Sequence, residues 1–142
     1  MQAERRRLAR LRKLERLREM ARQAALTDAA NAEATLTQLS RLADRTRRIA
    51  IDYAGRDDAT TAADLSVTLR FSAGMQHIIR SADAEAANAR DTADRAARKV
   101  AEAELRRAAA QDRADRAHRA LARREYAATL SLGPRKGNWH GS

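Results

Sequence analysis

Cysteine is absent from the sequence, so disulfide bonds and thiol chemistry are excluded. One proline, five glycines and an aromatic fraction of 3% leave few residues for tight turns or for a thick hydrophobic core. No stretch approaches the roughly 20 consecutive apolar residues that a membrane span requires. The basic N-terminus also lacks the apolar segment of a secretory signal, so the cytoplasm is the expected location.

Charged residues and alanine are what the sequence has in abundance. Charged residues make up 34% of the 142 residues, and the apolar fraction of 44% is mostly alanine. This composition is typical of long helices and coiled coils. The net charge of +10 is unevenly spread: basic and acidic residues number 9 and 3 in residues 1–22, 7 and 7 in residues 23–80, and 13 and 9 in residues 81–142. The positive excess therefore belongs to the two ends of the chain.

An apolar row with alternating spacings of four and three residues dominates the second half of the chain. It runs from Ala82 to Leu121, and Arg107 is its only member that is not apolar. A sustained heptad repeat of this kind predicts a coiled-coil seam. Since most seam residues are alanine, each contact buries about one methyl group, worth at most about 0.8 kcal/mol. A second heptad row, from Ala25 to Tyr53, continues the same pattern in the first half.

Turn and capping signals divide the chain into two helices. Gly55 suits the left-handed residue after a helix end, and Thr61 with Asp64 suggests a capping box that opens the next helix. Two helices joined by a short loop normally fold back antiparallel. We therefore predict an all-α fold, an antiparallel two-helix coiled-coil hairpin over residues 1–131. Its helices cover about 4–54 and 61–131, with a turn at 55–60 and a flexible basic tail at 132–142. Gly74, inside the second helix, is expected to mark local flexibility or close packing.

The position of the turn also predicts a register. With the turn centred near Asp57, residue i faces about residue 114 minus i, which exhausts the first helix near Ala110. The seam from Ala110 to Leu121 would then have no partner in the chain, and an unpaired apolar stripe implies another subunit. In the first helix, leucines recur every third residue from Leu8 to Leu17, a spacing that drifts around the helix.

The sequence contains no evident catalytic constellation. The 3 histidines, His77, His118 and His140, are too scattered to form a metal site, and no phosphate-binding glycine loop is present. The paired aspartates after Gly55 are interpreted as turn and cap residues. We therefore expect no enzymatic activity, no cofactor and no metal.

The two ends of the predicted hairpin suggest different partners. The first interpretation of the basic end is solvated charge that flanks a coiled coil. Arginine-rich helices also bind phosphate backbones, so nucleic acid or an acidic membrane surface is one alternative. Because acidic residues are interspersed and no aromatic residues are available to stack on bases, an acidic protein is favoured over nucleic acid. Self-association through the unpaired seam is a further alternative. The apolar cluster at the turn end has two interpretations. Either it closes the wide end of the coiled coil, or, because one thin helix cannot cover all of it, part of it is expected to remain exposed for binding. This cluster comprises Tyr53, Phe71, Met75, Ile78 and Ile79.

The chain resembles the FliJ family of flagellar export proteins and their type III secretion counterparts. The resemblance covers most of residues 1–131. It rests on the basic N-terminal helix, the segment Ile-Asp-Tyr-Ala at 51–54, Phe71 and Met75 in the second helix, and the arginine- and glutamate-rich stretch at 116–125.

This resemblance implies a non-enzymatic coiled-coil stalk in the cytoplasm, peripheral to a membrane-embedded export apparatus. It implies that the terminal ends bind the hexameric export ATPase and that the middle and turn region binds the export-gate protein. The implied ATPase-binding residues are Leu8, Leu11, Leu17, Ala114, Leu121 and Arg124. The implied gate-binding residues are Leu42, Tyr53, Phe71, Met75 and Ile78.

Overall fold

Two long helices make up the structure, a computed structural model that describes residues 1–55 and 61–133. Helix α1 spans Gln2–Ala54 and helix α2 spans Ala62–Ser131. The helices pack together and the described ranges contain no strand. The predicted all-α helical hairpin is therefore confirmed. No helix in the part of the chain that the structure describes is long and apolar enough to cross a membrane.

The contacts divide the hairpin into two compact units. The terminal unit comprises Met1–Gln23 and Ala101–Ser142, and the turn unit comprises Ala24–Val100. Each helix continues from one unit into the other. The helices run antiparallel, as the terminal unit illustrates: Arg5 pairs with Glu125, and Arg22, farther along α1, pairs with Glu104.

The helix ends follow the predicted capping only in part. The Asp64 backbone N–H donates to Thr61 Oγ1 at 3.1 Å, which is the expected N-cap of α2. Gly55 differs from the expectation, because no described glycine has a positive φ and the Gly55 N–H donates to the Ile51 carbonyl at 3.0 Å. Gly55 thus continues the last turn of α1, and the left-handed conformation expected for it is wrong. Residues 56–60 of the predicted turn and 134–142 of the predicted tail lie outside the described residues.

Small residues form the core of each unit. The buried residues of the turn unit are Ala43, Thr46, Ala82, Ala89 and Ala93. Those of the terminal unit are Ala110, Ala114 and Leu121. Because most of these side chains are single methyl groups, each contact stabilises the hairpin by less than about 1 kcal/mol, and the stability is spread along both helices.

The observed register differs from the predicted one. Arg12 pairs with Asp115 at 3.1 Å, whereas the predicted register placed Arg12 near residue 102. Arg47 pairs with Asp83, whereas the predicted register placed Arg47 near residue 67. The difference is about 14 residues, or two heptads. The predicted register took residue 57 as the centre of the turn, whereas the observed pairs are centred about seven residues later in the chain. Residues 61–67, at the start of α2, are all exposed, so the packing against α1 begins later than the position of the turn implies.

The corrected register gives the end of the seam a partner within the chain. Ala110, Ala114 and Leu121 are 4%, 0% and 8% exposed, so they are among the best-buried residues of the hairpin. The expectation that residues 110–121 await another subunit is wrong, and self-association through this stretch is set aside with it.

The leucine row of α1 drifts around the helix as predicted. Leu8, Leu11 and Leu14 are half-buried, while Leu17 is 57% exposed. Where the leucines leave the interface, half-buried charged residues such as Glu15 and Arg22 take over the seam positions. Their charged groups form ion pairs, Glu15 with Arg12 and Arg22 with Glu19 and Glu104.

Candidate functional site

Metal-ligating residues do not cluster in the described ranges. No group of three or more histidine, cysteine, aspartate or glutamate side chains there is arranged to hold a metal ion. His77 and His118 are exposed on α2, and His140 lies outside the described residues. The candidate sites are instead two exposed surfaces, one in each unit.

A groove opens between α1 and α2 in the turn unit. Its volume is about 500 Å³, and its lining includes Arg47, Ile51, Tyr53, Leu69, Phe71 and Met75. The rings of Tyr53 and Phe71 lie with their centroids 3.8 Å apart and their planes tilted by 36°. The aromatic pair thus forms part of the wall of the groove.

The charge of Arg47 is satisfied beside this groove. Its guanidinium pairs with Asp83 on α2 and lies 3.6 Å from Asp44 on α1. The groove therefore presents a mostly apolar lining with a compensated cation at its edge.

A second apolar feature of the turn unit lies on the opposite flank of the seam. In the heptad, Arg47 and Ile49 flank the seam of α1 from opposite sides, and Asp83 and Ile78 flank the seam of α2 in the same way. Since Arg47 and Asp83 pair on one side, Ile49 and Ile78 share the other. Leu42 and Phe71 each lie seven residues before these isoleucines, on the same helix faces. We call Leu42, Ile49, Phe71 and Ile78 the apolar strip, and they are 48%, 50%, 38% and 51% exposed.

Gly74 lies on α2 between the two members of the strip on that helix. A Cβ built at Gly74 would meet no atom within 4 Å, so neither close packing inside the described hairpin nor a left-handed φ requires glycine here. Glycine within a helix costs about 1 kcal/mol relative to alanine. The residue thus leaves a flat gap between Phe71 and Ile78, into which the backbone of another molecule could fit.

The predicted gate-binding residues are distributed over these two features. Tyr53 and Met75 line the groove, Leu42 and Ile78 lie outside it on the apolar strip, and Phe71 belongs to both. The expectation that part of the apolar cluster remains exposed is confirmed by Phe71 and Ile78. Sequence reasoning missed Ile49, although its seven-residue spacing from Leu42 could have identified it.

Large exposed apolar side chains are segregated along the turn unit. Between residues 42 and 78 the unit exposes Leu42, Ile49, Ile51, Leu65, Val67, Leu69, Phe71 and Ile78. None is exposed in 27–41 or 79–100, where the heptad rows are covered by the opposite helix. With the exception of Leu26, the exposed large apolar residues of the turn unit are therefore concentrated near the turn.

The predicted ATPase-binding residues do not form one surface. Ala114 and Leu121 are buried between the helices, so they are not accessible to a partner while the hairpin is folded. Leu8 and Leu11 are half-buried, and Arg124 is paired with Glu4 on α1. Leu17 alone of the set is an exposed apolar residue.

Sequence reasoning also missed apolar residues that the terminal unit exposes. Met20 is 65% exposed and lies one helical turn after Leu17, so the two form an apolar patch on the outer face of α1. On α2, Leu105, Tyr126 and Leu130 are 73%, 67% and 64% exposed. Met20 could have been identified from the sequence, because it lies three residues after Leu17 and so continues the leucine row onto the outer face of α1.

Ion pairs connect the two helices of the terminal unit. Arg22 donates two hydrogen bonds to Glu19, at 2.8 and 3.0 Å, and a third to Glu104 on α2 at 3.0 Å. The hydrogen bonds from Arg22 are the main reason that the pKa of Glu19 is lowered, while the bond to Glu19 is the main reason that the pKa of Arg22 is raised. The Nε of Arg107 is buried, 3.7 Å from Glu19, with no hydrogen-bond partner among the described residues.

Most carboxylates of the terminal unit form ion pairs, whereas many of its basic side chains do not. Glu4, Glu15, Glu19, Glu104, Asp112, Asp115 and Glu125 each pair with an arginine. Basic side chains without an ion pair to a described residue are Arg6, Arg7, Arg10, Lys13, Arg16, Arg18, Arg106, Arg113, Arg119 and Arg123, and all except Arg18 are exposed. The unit therefore presents a surplus of uncompensated positive charge.

Comparison of the chain with protein-family profiles, with curated proteins and with solved structures finds no significant match.

Proposed function

We propose that the chain is a non-enzymatic coiled-coil stalk of a flagellar or type III protein export apparatus. In this proposal the terminal unit binds the hexameric export ATPase and the turn unit binds the export-gate protein. One observation carries the proposal: each unit leaves its own set of large apolar side chains exposed, and in the turn unit all of them except Leu26 lie between residues 42 and 78. Exposed apolar patches of this kind are typical of protein-binding sites.

The gate-binding surface in this proposal is the apolar strip together with the groove. The strip combines large apolar side chains with the gap at Gly74, an arrangement that suits packing against a helix of another protein. The groove adds the aromatic pair of Tyr53 and Phe71, and aromatic side chains are enriched among residues that dominate binding energies.

The ATPase-binding surface in this proposal is centred on Leu17 and Met20. These side chains lie on the outer face of α1, and unpaired cations such as Arg10 and Lys13 precede them on the same helix. A partner with an apolar pocket and acidic surroundings would complement both features. The buried Ala114 and Leu121 take no part in this surface.

A separation-of-function experiment tests the proposal. One variant, L17S/M20S, alters the terminal unit, and another, I49S/I78S, alters the turn unit. We expect the first to weaken binding to the purified export ATPase at least ten-fold with gate binding unchanged, and the second to do the reverse. L26S is the matched control, since Leu26 is 41% exposed but belongs to neither surface. Unchanged affinities in both double variants, or an equal loss in L26S, would refute the proposal.

A second candidate function rests on the surplus of unpaired cations in the terminal unit. A polyanion such as nucleic acid would be attracted to Arg10, Arg16 and the similar side chains, and its affinity would fall steeply with added salt because counterions are released on binding. Titration of a random-sequence DNA duplex at several salt concentrations distinguishes this function. Absent or salt-independent binding would eliminate it, and L17S/M20S should leave any DNA binding intact.

A further inference from the structure

The alanine seam is nearly uniform from one heptad to the next. All buried seam residues of α2 between Ala82 and Ala114 are alanines. When one helix slides along the other by seven residues, seam positions again face seam positions, and the alanines of α2 present the same methyl groups to whichever seam residues of α1 they then face. Packing of the seam therefore distinguishes weakly between registers that differ by a whole heptad.

The interhelical ion pairs are not uniform in this way. Arg22 lies 3.0 Å from Glu104, and a slip of one heptad in either direction would replace this glutamate with Ala97 or Gln111. Arg12, which lies 3.1 Å from Asp115, would face Ala108 or Ala122 instead. Both partners in each slipped register are uncharged.

In the turn unit, too, a slip of one heptad would change the partner of an interhelical ion pair. Arg47 pairs with Asp83, and a slip of one heptad would bring Gln76 or Arg90 to the position of this aspartate. Gln76 removes the charge interaction, and Arg90 replaces attraction with repulsion.

Residues beside the turn leave room for a slip. Residues 61–67, at the start of α2, are all exposed, so this end of the helix loses little packing if it unwinds. Unwinding there releases the length of chain that a slip of one heptad, about 10 Å along a helix axis, requires.

We infer that the ion pairs between the helices select the register of this hairpin from a set of alternatives related by whole heptads. The alanine seam holds the helices together, and the pairs made by Arg12, Arg22 and Arg47 determine which heptads face each other, together with those made by Arg5, Arg107 and Arg124. Loss of all these pairs lets the helices populate a slipped register. The inference is independent of the proposed export function.

A pair of spin labels measures the register directly. The chain has no cysteine, so labels attach only where cysteine is introduced. Thr35 and Thr92 suit the labels, because both are exposed, both line one small cavity between the helices, and their hydroxyls bond only within their own helices. Double electron-electron resonance on T35C/T92C reports the distance between them, and a slip in either direction displaces one label by about 10 Å along the axis.

Two matched sets of substitutions are compared in this labelled chain. The test set removes the six arginines that pair across the helices and is R5Q/R12Q/R22Q/R47Q/R107Q/R124Q. The control set removes six exposed arginines that pair with no described residue and is R6Q/R7Q/R10Q/R16Q/R48Q/R113Q. We expect the parent and the control to show one distance and the test set to show a second, longer one. A single unchanged distance in the test set would overturn the inference.

If the test set unfolds, a variant with exchanged charges still tests whether the ion pairs select the register. R22E/E104R together with R47D/D83R restores two of the pairs with their signs exchanged. We expect this variant to keep the parental distance, whereas R22E/R47D alone is expected to shift it. A swapped variant that slips as far as the half-swapped one would show that pairing does not select the register.

Discussion

Replacing Ala114 with leucine tests the corrected register most simply. Ala114 is 0% exposed, so the larger side chain has no space and must push the helices apart. Overpacking of this kind destabilises proteins by about 1–3 kcal/mol. In the register predicted from the sequence, residue 114 would lie beyond the end of α1, and the same substitution would have almost no effect.

Urea unfolding followed by circular dichroism measures the effect. A loss of about 2 kcal/mol lowers the unfolding midpoint by about 1 M for a urea slope near 2 kcal/mol per molar. A109L is the matched control, because Ala109 is exposed on the same helix and the helix propensities involved are the same. A midpoint for A114L equal to that of A109L would refute the packing of residues 110–121 between the helices.

Three further predictions concern stability. G74A should raise the free energy of unfolding by about 1 kcal/mol in urea titrations, because the added Cβ meets open space and removes the cost of helical glycine; in the proposed function it should also weaken gate binding. T61A should lower the free energy of unfolding by about 1 kcal/mol, because it removes the hydrogen bond that the Asp64 N–H donates to Thr61. T37A is the control, since Thr37 is exposed inside α1. The pKa of Glu19 is lowered chiefly by the hydrogen bonds from Arg22, so its contribution is present above the unfolded-state pKa of about 4.3 and is lost as the pH falls through its folded-state pKa. E19Q should therefore have a shallower decline of the urea midpoint below about pH 5 than the parent, and identical declines would contradict this.

The sequence predicted the fold because the evidence for it is local. Heptad spacing and the scarcity of glycine and proline indicate two long helices, and Thr61 marks the start of the second. These signals depend on residues close together in the chain. The hairpin follows from them with no knowledge of which residues touch across it.

The register and the terminal site could not be predicted in the same way. A row of alanines looks alike in every heptad, so nothing in its spacing distinguishes Arg12 facing Asp115 from Arg12 facing a position two heptads away. Glu15 and Arg22 also occupy seam positions in α1, and a pattern of apolar residues does not include them because they are charged. The surface of the turn unit was easier to predict from the sequence, because large apolar residues such as Phe71 are rare in this chain.

Sedimentation of the chain with the hexameric export ATPase tests the proposed function most directly. Both proteins are mixed at about 0.15 M salt and again at about 0.5 M, where electrostatic attraction alone is largely screened. The proposal predicts that the chain sediments with the hexamer at both salt concentrations, because apolar contacts at Leu17 and Met20 contribute to binding, and that L17S/M20S sediments separately. Separate sedimentation of the parent chain at both salt concentrations would contradict the proposal.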